Sequence, residues 1–375
     1  MINPDAFCLA LKKVGYSFVT GVPDSLLKEL SKNFIKKFNK NHIISTNEGS
    51  AVGFAIGYYL GKKKPAVVYL QNSGLGNIIN PITSLANPKV YGIPMLLIIG
   101  WRGEIKNKIQ INDEPQHKFQ GEITLKQLKL LKIPYKVLSA KTKNFIQIIK
   151  NLKKKSITSQ TPVAIVIRKN TFMKSVHNFS TKKKYNFLRE DVIKDIIKVT
   201  KNKNVTLIST TGMTSRELYE QRKKNNQNHF RDFLTVGGMG HANQIAAGLS
   251  FGSKKKIICI DGDGSMLMHT GSMGISAQMN NFLHIVINNS SHDSVGGQPT
   301  LGKSLNLKEI GKNFGYKMCY SISKKKQLIK ILNKCIRSKK STIIVINCDK
   351  GYRDNLGRPE KNMKRRKNIF LKFKN

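Results

Sequence analysis

Short apolar runs alternate along the chain with stretches that are long enough to form helices. The runs at 67–70, 163–167, 205–208, 257–260 and 343–346 are continuously apolar and rich in β-branched residues. Continuous rather than alternating apolarity is typical of strands that are covered by helices on both faces. The pattern therefore predicts an α/β fold of parallel, helix-flanked sheets.

The sequence also repeats itself in outline. Residues 48–77 and 239–266 each combine a helix of small residues, a glycine-bounded stop, a lysine triplet, an apolar strand and a glycine-containing turn. Further along, each half supplies another buried strand, at 94–100 and 284–289. The repeated order of elements predicts two similar α/β domains.

The length of 375 residues agrees with two domains, because it is about twice the usual domain size. The stretch at 171–190 is polar and rich in lysine, so we interpret it as a linker. We expect one domain at 1–170 and a second at 191–375, the second ending in a basic tail from 361 onward whose surface is solvated.

The charge is unusual, since 66 Lys and Arg face 21 Asp and Glu, a net charge of +45. Such a balance attracts phosphate backbones and acidic membranes. The lysines are spread over the whole chain, however, and the sequence has no RNP-like aromatic motif, Cys/His finger or basic zipper. We therefore expect neither nucleic acid nor a membrane as a partner.

Five cysteines form no C-x-x-C pair, and Cys259 lies inside an apolar run, where a thiol is usually a small core residue. The first ten residues lack the pattern of a signal peptide, and the longest apolar stretch, at 93–101, is too short to span a membrane. We expect a soluble, cytoplasmic protein.

A glycine-rich turn follows the strand at 257–260. Gly262 and Gly264 let backbone N–H groups approach phosphate oxygens closely. Asp263, between them, would repel a bare diphosphate unless a hard cation such as Mg²⁺ lay between the two. A tight surface turn is the alternative interpretation, because D-G sequences are common in turns.

Two asparagines close the next strand of this half. Asn288 and Asn289 are poor strand formers, so their position needs a local reason. A carboxylate at the end of one strand and a carboxamide at the end of its neighbour supply two oxygen ligands to one cation.

G-D-G followed by N-N resembles the signature of the thiamine-diphosphate-dependent enzymes, and the resemblance covers essentially the whole chain. It implies two similar domains, one for the pyrimidine and one for the diphosphate of the cofactor, with no middle domain. It also implies that Mg²⁺ is bound by the side chains of Asp263 and Asn289 and by the backbone carbonyl of Ser291. The gap between the motifs is slightly short for the family. The remaining diphosphate-turn contacts implied by the resemblance are Thr211, Gly212, Gly262, Gly264 and Ser265.

Glu48 opens the small-residue helix of the first half. A glutamate there can be a simple favourable interaction with the helix dipole. The resemblance implies instead that Glu48 is catalytic and hydrogen-bonds the aminopyrimidine ring, while the cofactor carries the covalent chemistry. Met239 takes the place of the bulky apolar residue under the bent cofactor, although a core methionine is the alternative.

Longer strings resemble one branch of the family, the phosphonopyruvate decarboxylases. They lie at 21–28, 72–77, 100–103, 113–117 and 292–300. The implied reaction converts 3-phosphonopyruvate to phosphonoacetaldehyde and CO₂. A small anionic 2-keto acid of this kind needs cationic or N–H-rich loops.

The candidates for substrate binding and proton transfer come from these strings. We expect the substrate to be bound by Asp24, Asn72, Arg102, His117 and His292. Besides Glu48, the candidates for catalysis are Asp24, His117 and His292. Structural alternatives are an ion pair for Arg102, loop hydrogen bonds for the histidines and a helix cap for Asp24.

Other functions stay open. Sulfopyruvate or another 2-keto acid is an alternative substrate for the same mechanism, and physical argument does not separate phosphonate from sulfonate. A catalytically silent paralogue or a basic binding module is a further alternative, but Glu48, Asp263 and Asn289 are all present. Because the resemblance implies a cofactor gripped by neighbouring chains, we expect a homodimer or higher homo-oligomer with inter-subunit sites.

Overall fold

In the computed structural model, each half of the chain forms its own parallel sheet. The chain divides into two units, Met1–Phe179 and Ser180–Asn375. The structure describes residues 1–107, 109–177, 179, 183–251, 253–359 and 362–374. Of the predicted linker, positions 178 and 180–182 lie outside the described residues, as do 361 and 375 of the predicted tail.

The first unit is built on a sheet with the strand order β2-β1-β3-β4-β8-β7. Its strands are β1 Val19–Gly21, β2 His42–Ile44, β3 Ala66–Gln71, β4 Met95–Gly100, β7 Tyr135–Leu138 and β8 Pro162–Ile167, with a separate ribbon of β5 Ile105–Lys106 and β6 Ile109–Gln110. Its helices are α1 Pro4–Lys13, α2 Lys28–Phe38, α3 Glu48–Lys62, α4 Leu75–Pro81, α5 Pro115–Leu130 and α6 Phe145–Thr158.

The second unit is built on a sheet with the strand order β10-β9-β11-β12-β16-β15. Its strands are β9 Val205–Ser209, β10 Asp232–Leu234, β11 Lys256–Gly262, β12 Phe282–Asn288, β15 Met318–Ile322 and β16 Thr342–Asn347, with a separate ribbon of β13 Ser291–His292 and β14 Gln298–Pro299. Its helices are α7 Arg189–Thr200, α8 Met213–Lys224, α9 Ala242–Phe251, α10 Asp263–Met268, α11 Met273–Ser276, α12 Leu307–Asn313, α13 Lys325–Arg337 and α14 Met363–Lys374.

The two sheets have the same topology. Numbered within its own unit, each six-stranded sheet runs in the order 2-1-3-4-6-5, and all of its strand pairs are parallel. The five apolar runs recognised in the sequence all lie inside strands. The predicted fold of two similar, helix-flanked parallel sheets is therefore confirmed.

Strands that are covered on both faces account for the continuous apolar runs. In β4, Leu96 and Ile98 pack into the core on one face of the sheet, while Leu97 and Ile99 pack into the core on the other. All four side chains are fully buried. Because side chains on both faces of this strand are buried, every position carries an apolar residue. The alternation of apolar and polar residues that is typical of a half-exposed strand is therefore absent.

Topology places functional residues at one edge of each sheet. In the strand order 2-1-3, the connection after the first strand runs toward one edge of the sheet and the connection after the third strand runs toward the other. Ligands of such sheets bind at the point where these directions diverge, at the carboxyl ends of the first and third strands. In the first unit this point lies between β1 and β3, and in the second it lies between β9 and β11.

The structure differs from the sequence-based expectations at two places in the second unit. Arg189 and Glu190, which fall in the predicted linker, are buried in the first turn of α7. The basic tail includes the helix α14, but it is not wholly solvated, because Phe370 is buried and its ring packs 5.6 Å from that of Phe233.

Among the described residues, no helix combines the length and the apolar character needed to cross a bilayer.

Candidate active site

Glu48 lies at the start of α3, beside the carboxyl ends of β1 and β3. The helix begins there because Asn47 caps it, its side chain accepting a hydrogen bond from the Ser50 N–H at 2.8 Å. Asn77 donates a hydrogen bond of 2.7 Å to Glu48 Oε2, and the glutamate is almost fully buried. A Cβ added at Gly74 would collide with the carboxylate, so glycine at that position makes room for it.

Asp24 follows β1 and is completely buried. Its Oδ2 accepts hydrogen bonds from the backbone N–H groups of Leu26 (3.2 Å) and Leu27 (3.3 Å), which precede α2, so it holds the turn before the helix rather than capping the helix itself. Its Oδ1 has no partner among the described residues. Desolvation raises the pKa of the Asp24 carboxyl to about 6, although the charge of Arg102 opposes the shift. One carboxylate oxygen is thus held and the other is available.

Arg102 is fixed by neighbours within the first unit. Its Nε donates to Asp113 Oδ2 at 2.8 Å, its Nη2 donates to Asp113 Oδ1, and its Nη1 donates to Ser25 Oγ at 2.8 Å. The ion-pair alternative is therefore realised. A guanidinium has five N–H donors, so two of them have no partner among the described residues, and these stay available for an anion.

Asn72, predicted to bind substrate, is engaged by the protein itself. Its Nδ2 donates to the Arg102 carbonyl and to Thr124 Oγ1, both at 2.9 Å, and its Oδ1 accepts from the Arg102 N–H at 3.1 Å. The side chain is almost fully buried. Asn72 therefore fixes the backbone that carries Arg102, and any contact it makes with substrate is a prediction that these bonds do not support.

His117 lies in the first turn of α5, and its Nδ1 is buried without a partner among the described residues. Desolvation and the positive charge of Arg102 lower the pKa of His117 to about 4, while the charge of Asp113 opposes them. The imidazole is therefore neutral at physiological pH and presents one N–H donor and one acceptor.

In the second unit, Asp263 follows β11 and is nearly completely buried. Thr300 Oγ1 donates a hydrogen bond to Asp263 Oδ2. Desolvation, reinforced by the charge of Asp293, raises the pKa of the Asp263 carboxyl to about 7. A Cβ added at Gly302 would collide with Asp263 Oδ2 and would lie 2.6 Å from Asn288 Oδ1, so both oxygens converge on that glycine.

The two asparagines after β12 have different surroundings. Asn288 Nδ2 donates to the Gly302 carbonyl at 2.9 Å and to Asn347 Oδ1 at 3.0 Å. Asn289 Oδ1 accepts from the Ser291 N–H at 3.1 Å, while its Nδ2 donates to Asp293 Oδ2 at 2.7 Å. Ser291 Oγ is buried without a partner among the described residues.

The turn after β9 lies against the glycine-rich turn. Thr210 and Ser265 share a hydrogen bond of 2.9 Å between their hydroxyls, and Ser265 Oγ also accepts from the Gly240 N–H at 3.1 Å. Thr211 is half-buried, and Gly212 has a φ of +85°, a conformation that side chains rarely adopt, just before α8 begins. This packing brings together the backbone of the two turns for which the resemblance implies diphosphate contacts.

Met239 and His292 lie on the same side of Gly264. A Cβ added at that glycine would lie 2.9 Å from His292 Cε1 and 3.4 Å from Met239 Cε. Desolvation lowers the pKa of His292 to about 4, so this imidazole is also neutral. The predicted cofactor-binding methionine and the predicted catalytic histidine are thus close to the glycine-rich turn.

The second unit fits a divalent cation. Asp263, Asp293 and Glu217 are buried carboxylates, and Arg189 is the cation that pairs with the last two. Arg189 does not pair with Asp263, and a buried carboxylate is expensive to ionise without a compensating cation, so a bound cation would favour its charged form. Mg²⁺ prefers oxygen ligands, and the predicted ligands Asp263, Asn289 and Ser291 would each offer an oxygen atom.

A buried chain of hydrogen bonds braces the strand that carries this turn. Asp261 Oδ2 lies 3.3 Å from His284 Nε2, and His284 Nδ1 lies 3.2 Å from the Tyr316 hydroxyl. Asp261 Oδ1 accepts from the Gly262 N–H at 2.9 Å. Cys259 is fully buried beside them, as expected for a core thiol. The carboxylate of Asp261 therefore fixes the backbone at the first glycine of the motif.

Sequence reasoning missed several residues of the site. Four of them lay inside or at the end of strings that were recognised, and only their roles were missed: Asn77, Asp113, Asp293 and Thr300. Arg189 gave no signal, because it stands in a polar stretch that reads as a linker.

Comparisons with known proteins cover both units. Residues 4–130 match the thiamine pyrophosphate enzyme, N-terminal TPP binding domain, and residues 210–346 match the C-terminal TPP binding domain. The chain is 28% identical to phosphonopyruvate decarboxylase of Streptomyces viridochromogenes, over 96% of this chain and 92% of that protein.

Sulfopyruvate decarboxylases are similar as well. The chain is 39% identical to sulfopyruvate decarboxylase subunit alpha of Methanococcus maripaludis, over 44% of this chain and 92% of that subunit. It is 26% identical to sulfopyruvate decarboxylase of Methanosarcina acetivorans, over 80% of this chain and 79% of that protein.

Proposed function

This chain belongs to the thiamine pyrophosphate enzymes, and on that premise we propose that it decarboxylates 3-phosphonopyruvate to phosphonoacetaldehyde and CO₂. The family predicted from the G-D-G and N-N motifs is confirmed, and with it thiamine pyrophosphate with Mg²⁺ and a carboxy-lyase activity. The observation that carries the choice of substrate is the similarity to a phosphonopyruvate decarboxylase over 96% of the chain.

The two units divide the work of holding the cofactor. We assign the pyrimidine to the first domain, at 1–170, and the diphosphate with Mg²⁺ to the second, at 191–375. Asp263, the Asn289 side chain and the Ser291 carbonyl would hold the metal. The turns that contain Thr211, Gly212, Gly262, Gly264 and Ser265 would bind the diphosphate. When bound, thiamine pyrophosphate supplies the carbon nucleophile and the electron sink for decarboxylation.

Glu48 orients the pyrimidine end. Its Oε2 accepts the hydrogen bond from Asn77, so Oε1 would be the oxygen that binds the aminopyrimidine ring. A carboxylate whose rotamer is fixed in this way holds or accepts a proton at a defined place, which is what tautomer control of the ring requires. Met239, which lies beside Gly264, would support the bound cofactor.

We assign the proton transfer that the reaction needs to Asp24, His117 and His292. Decarboxylation replaces the carboxylate of the substrate by one proton, so the site must contain a donor. The pKa of Asp24, raised by burial to about 6, lies near the working pH, where a general acid is most effective. Its unpartnered Oδ1 is the atom that we assign to this transfer. The two neutral imidazoles hydrogen-bond the substrate or relay the proton.

Arg102 binds the anionic end of the substrate through its two remaining N–H donors. Its bond to Asp113 fixes the plane of the guanidinium, which reduces the rotamer entropy lost on binding. Charge-assisted hydrogen bonds of this kind suit a phosphonate. Asn72 contributes through the Arg102 backbone rather than by direct contact.

Sulfopyruvate is the second candidate substrate, and the 39% identity to a sulfopyruvate decarboxylase subunit favours it. Both substrates are 2-keto acids with a tetrahedral anion, and the same residues serve either one. A silent paralogue or a basic binding module is disfavoured, because Glu48, Asp263 and Asn289 are all retained.

A homodimer or higher homo-oligomer completes the proposal, with each site shared between neighbouring subunits. The outer face of α3, the helix that begins at Glu48, exposes Gly53, Gly57 and Gly61 together with the apolar side chains of Phe54 and Leu60. No atom lies within 4 Å of a Cβ added at any of these three glycines, so the face can receive another helix closely. We place the enzyme in the reducing cytoplasm, where its five cysteines remain thiols.

The test is CO₂ release from 3-phosphonopyruvate by the purified chain. Release that requires both thiamine pyrophosphate and Mg²⁺, and that stops on chelation, supports the proposal. No release from this substrate or from sulfopyruvate, while the cofactor still binds, overturns it.

A further inference from the structure

A buried polar chain connects the start of α7 to the asparagine that we assign to the metal. Asp293 Oδ2 accepts three hydrogen bonds, from Asn289 Nδ2 at 2.7 Å, from Arg189 Nη1 at 3.0 Å and from the Gly351 N–H at 3.1 Å. Arg189 is in turn clamped by Glu217, to which its Nε and Nη2 donate at 2.8 and 2.9 Å. All four side chains are buried.

The hydrogen-bonding partners of the Asn289 carboxamide determine which way its oxygen and its nitrogen point. A carboxylate oxygen that already accepts from Arg189 and from the Gly351 N–H is an acceptor only, so the side of the carboxamide that faces Asp293 must be its NH₂ group. The carboxamide oxygen then points the opposite way, where it accepts from the Ser291 N–H. An amide is nearly symmetric in shape, and without such a partner its two orientations are close in energy.

We infer that Asp293, held by Arg189 and Glu217, is a positioning residue that presents the Asn289 oxygen, rather than its nitrogen, to the metal ion. The inference rests on the proposed role of Asn289 in binding Mg²⁺. Outer partners of this kind orient metal ligands, and their loss typically lowers metal affinity by about 10- to 100-fold. Arg189 thereby links the first turn of α7, at the end of the predicted linker, to the metal site.

The first variant is Asp293→Asn in the full chain. We would measure Mn²⁺ binding in the presence of thiamine pyrophosphate, following free Mn²⁺ by electron paramagnetic resonance. A neutral amide loses the charge that pairs with Arg189, and one of its two orientations turns an NH₂ group toward Asn289, so the preference for one orientation of Asn289 is weakened. We expect the Mn²⁺ affinity to fall by about 10- to 100-fold.

Rescue and graded variants separate positioning from a merely structural role. A carboxylate presents an oxygen in either orientation, so Asn289→Asp combined with Asp293→Asn is expected to recover affinity to within a few-fold of the unmodified chain. Glu217→Gln is expected to weaken binding less than Asp293→Asn, because Arg189 keeps its bond to Asp293. Glu217→Gln also provides a readout if Asp293→Asn does not fold.

The matched control is Glu190→Gln. Like Glu217, Glu190 is a buried carboxylate that pairs with an arginine, in this case Arg353. It lies in the first turn of α7, and the hydrogen bonds of its side chain do not reach Asn289. Its replacement is expected to leave the Mn²⁺ affinity unchanged.

Two results have different meanings. If Asp263→Asn abolishes Mn²⁺ binding while Asp293→Asn and Glu217→Gln bind like the unmodified chain, the positioning inference is overturned and the metal assignment stands. If Asp263→Asn also binds like the unmodified chain, the metal assignment falls and the inference falls with it.

Discussion

The carboxamide of Asn72 holds the backbone of Arg102 on both sides, donating to its carbonyl at 2.9 Å and accepting from its N–H at 3.1 Å. This pairing ties the end of β3 to the segment after β4, so the arginine that we assign to the substrate anion starts from a fixed backbone. Asp113 then fixes the guanidinium. The anion site is thus built from the protein's own hydrogen bonds before any ligand arrives.

Asn72→Asp tests that arrangement. The new carboxylate still accepts from Arg102 but leaves the Arg102 carbonyl and Thr124 without their donor. Because each unsatisfied buried group costs about 1–3 kcal/mol and two groups lose their donor, we expect the free energy of unfolding to fall by about 2–6 kcal/mol in urea titrations, together with a higher KM. Asn151→Asp, on the exposed face of α6, is the matched control and should change neither quantity.

The sheets were predictable from the sequence, and the reason is visible in β4. Leu96 and Leu97 are both fully buried, on opposite faces of the sheet. A strand that is covered on both faces is therefore recognisable in the sequence as an unbroken apolar run. Short edge strands such as β2 and β10 carry no such run. His42–Ile44 is only partly buried, and its place in the sheet depends on pairing with β1.

The site was predictable where a residue belongs to a recognisable string. Asp263 and Glu48 follow from motifs, but the hydrogen bond from Asn77 to Glu48 and the one from Asn289 to Asp293 depend on how loops fold back. Arg189 was hidden because burial of an arginine is decided by its partners, which here come from distant parts of the unit. Local sequence has no information on such partners.

Asp24 makes stability depend on pH in a defined direction. Burial raises the pKa of its carboxyl from 3.8 to about 6 in the folded state. Protonation of Asp24 therefore stabilises the folded state at low pH. This stabilisation is fully present below the unfolded pKa near 4 and is lost as the pH rises through about 6. A shift of this size corresponds to about 3 kcal/mol.

Asp24→Asn removes that titration. Relative to the unmodified chain, the variant is expected to gain stability as the pH rises from about 4 to about 7, and it should also lose activity because the proton donor is gone. Urea unfolding at a series of pH values measures the difference. A difference that does not vary with pH would show that Asp24 keeps its ordinary pKa.

Gly302 leaves the space in which Asp263 Oδ2 and Asn288 Oδ1 converge. In Gly302→Ala the methyl group collides with the carboxylate, so we expect Mg²⁺ affinity in the presence of thiamine pyrophosphate to fall by about tenfold or more. Calorimetric titration measures it. Gly271→Ala is the control, because no atom lies within 4 Å of a Cβ there. Equal affinities for the two variants would contradict the placement of the metal site.

Gly57→Arg tests the role of the outer face of α3. Gly57 is exposed, and an added side chain meets no atom of its own chain within 4 Å. Arginine is also a better helix former than glycine, by about 0.5–1 kcal/mol, so the subunit itself should remain folded. We expect light scattering to show dissociation of the oligomer, with loss of activity. A fully active oligomer carrying this substitution would exclude the face as a subunit interface.

The most direct measurement compares CO₂ release from 3-phosphonopyruvate and sulfopyruvate side by side, with thiamine pyrophosphate and Mg²⁺, for the unmodified chain and Glu48→Gln. We expect a higher kcat/KM for phosphonopyruvate than for sulfopyruvate, because the similarity to a phosphonopyruvate decarboxylase extends over 96% of the chain. Glu48→Gln should lower turnover of both by about 10²- to 10⁴-fold. Faster turnover of sulfopyruvate would contradict the proposed substrate, and turnover that survives Glu48→Gln would contradict the proposed site.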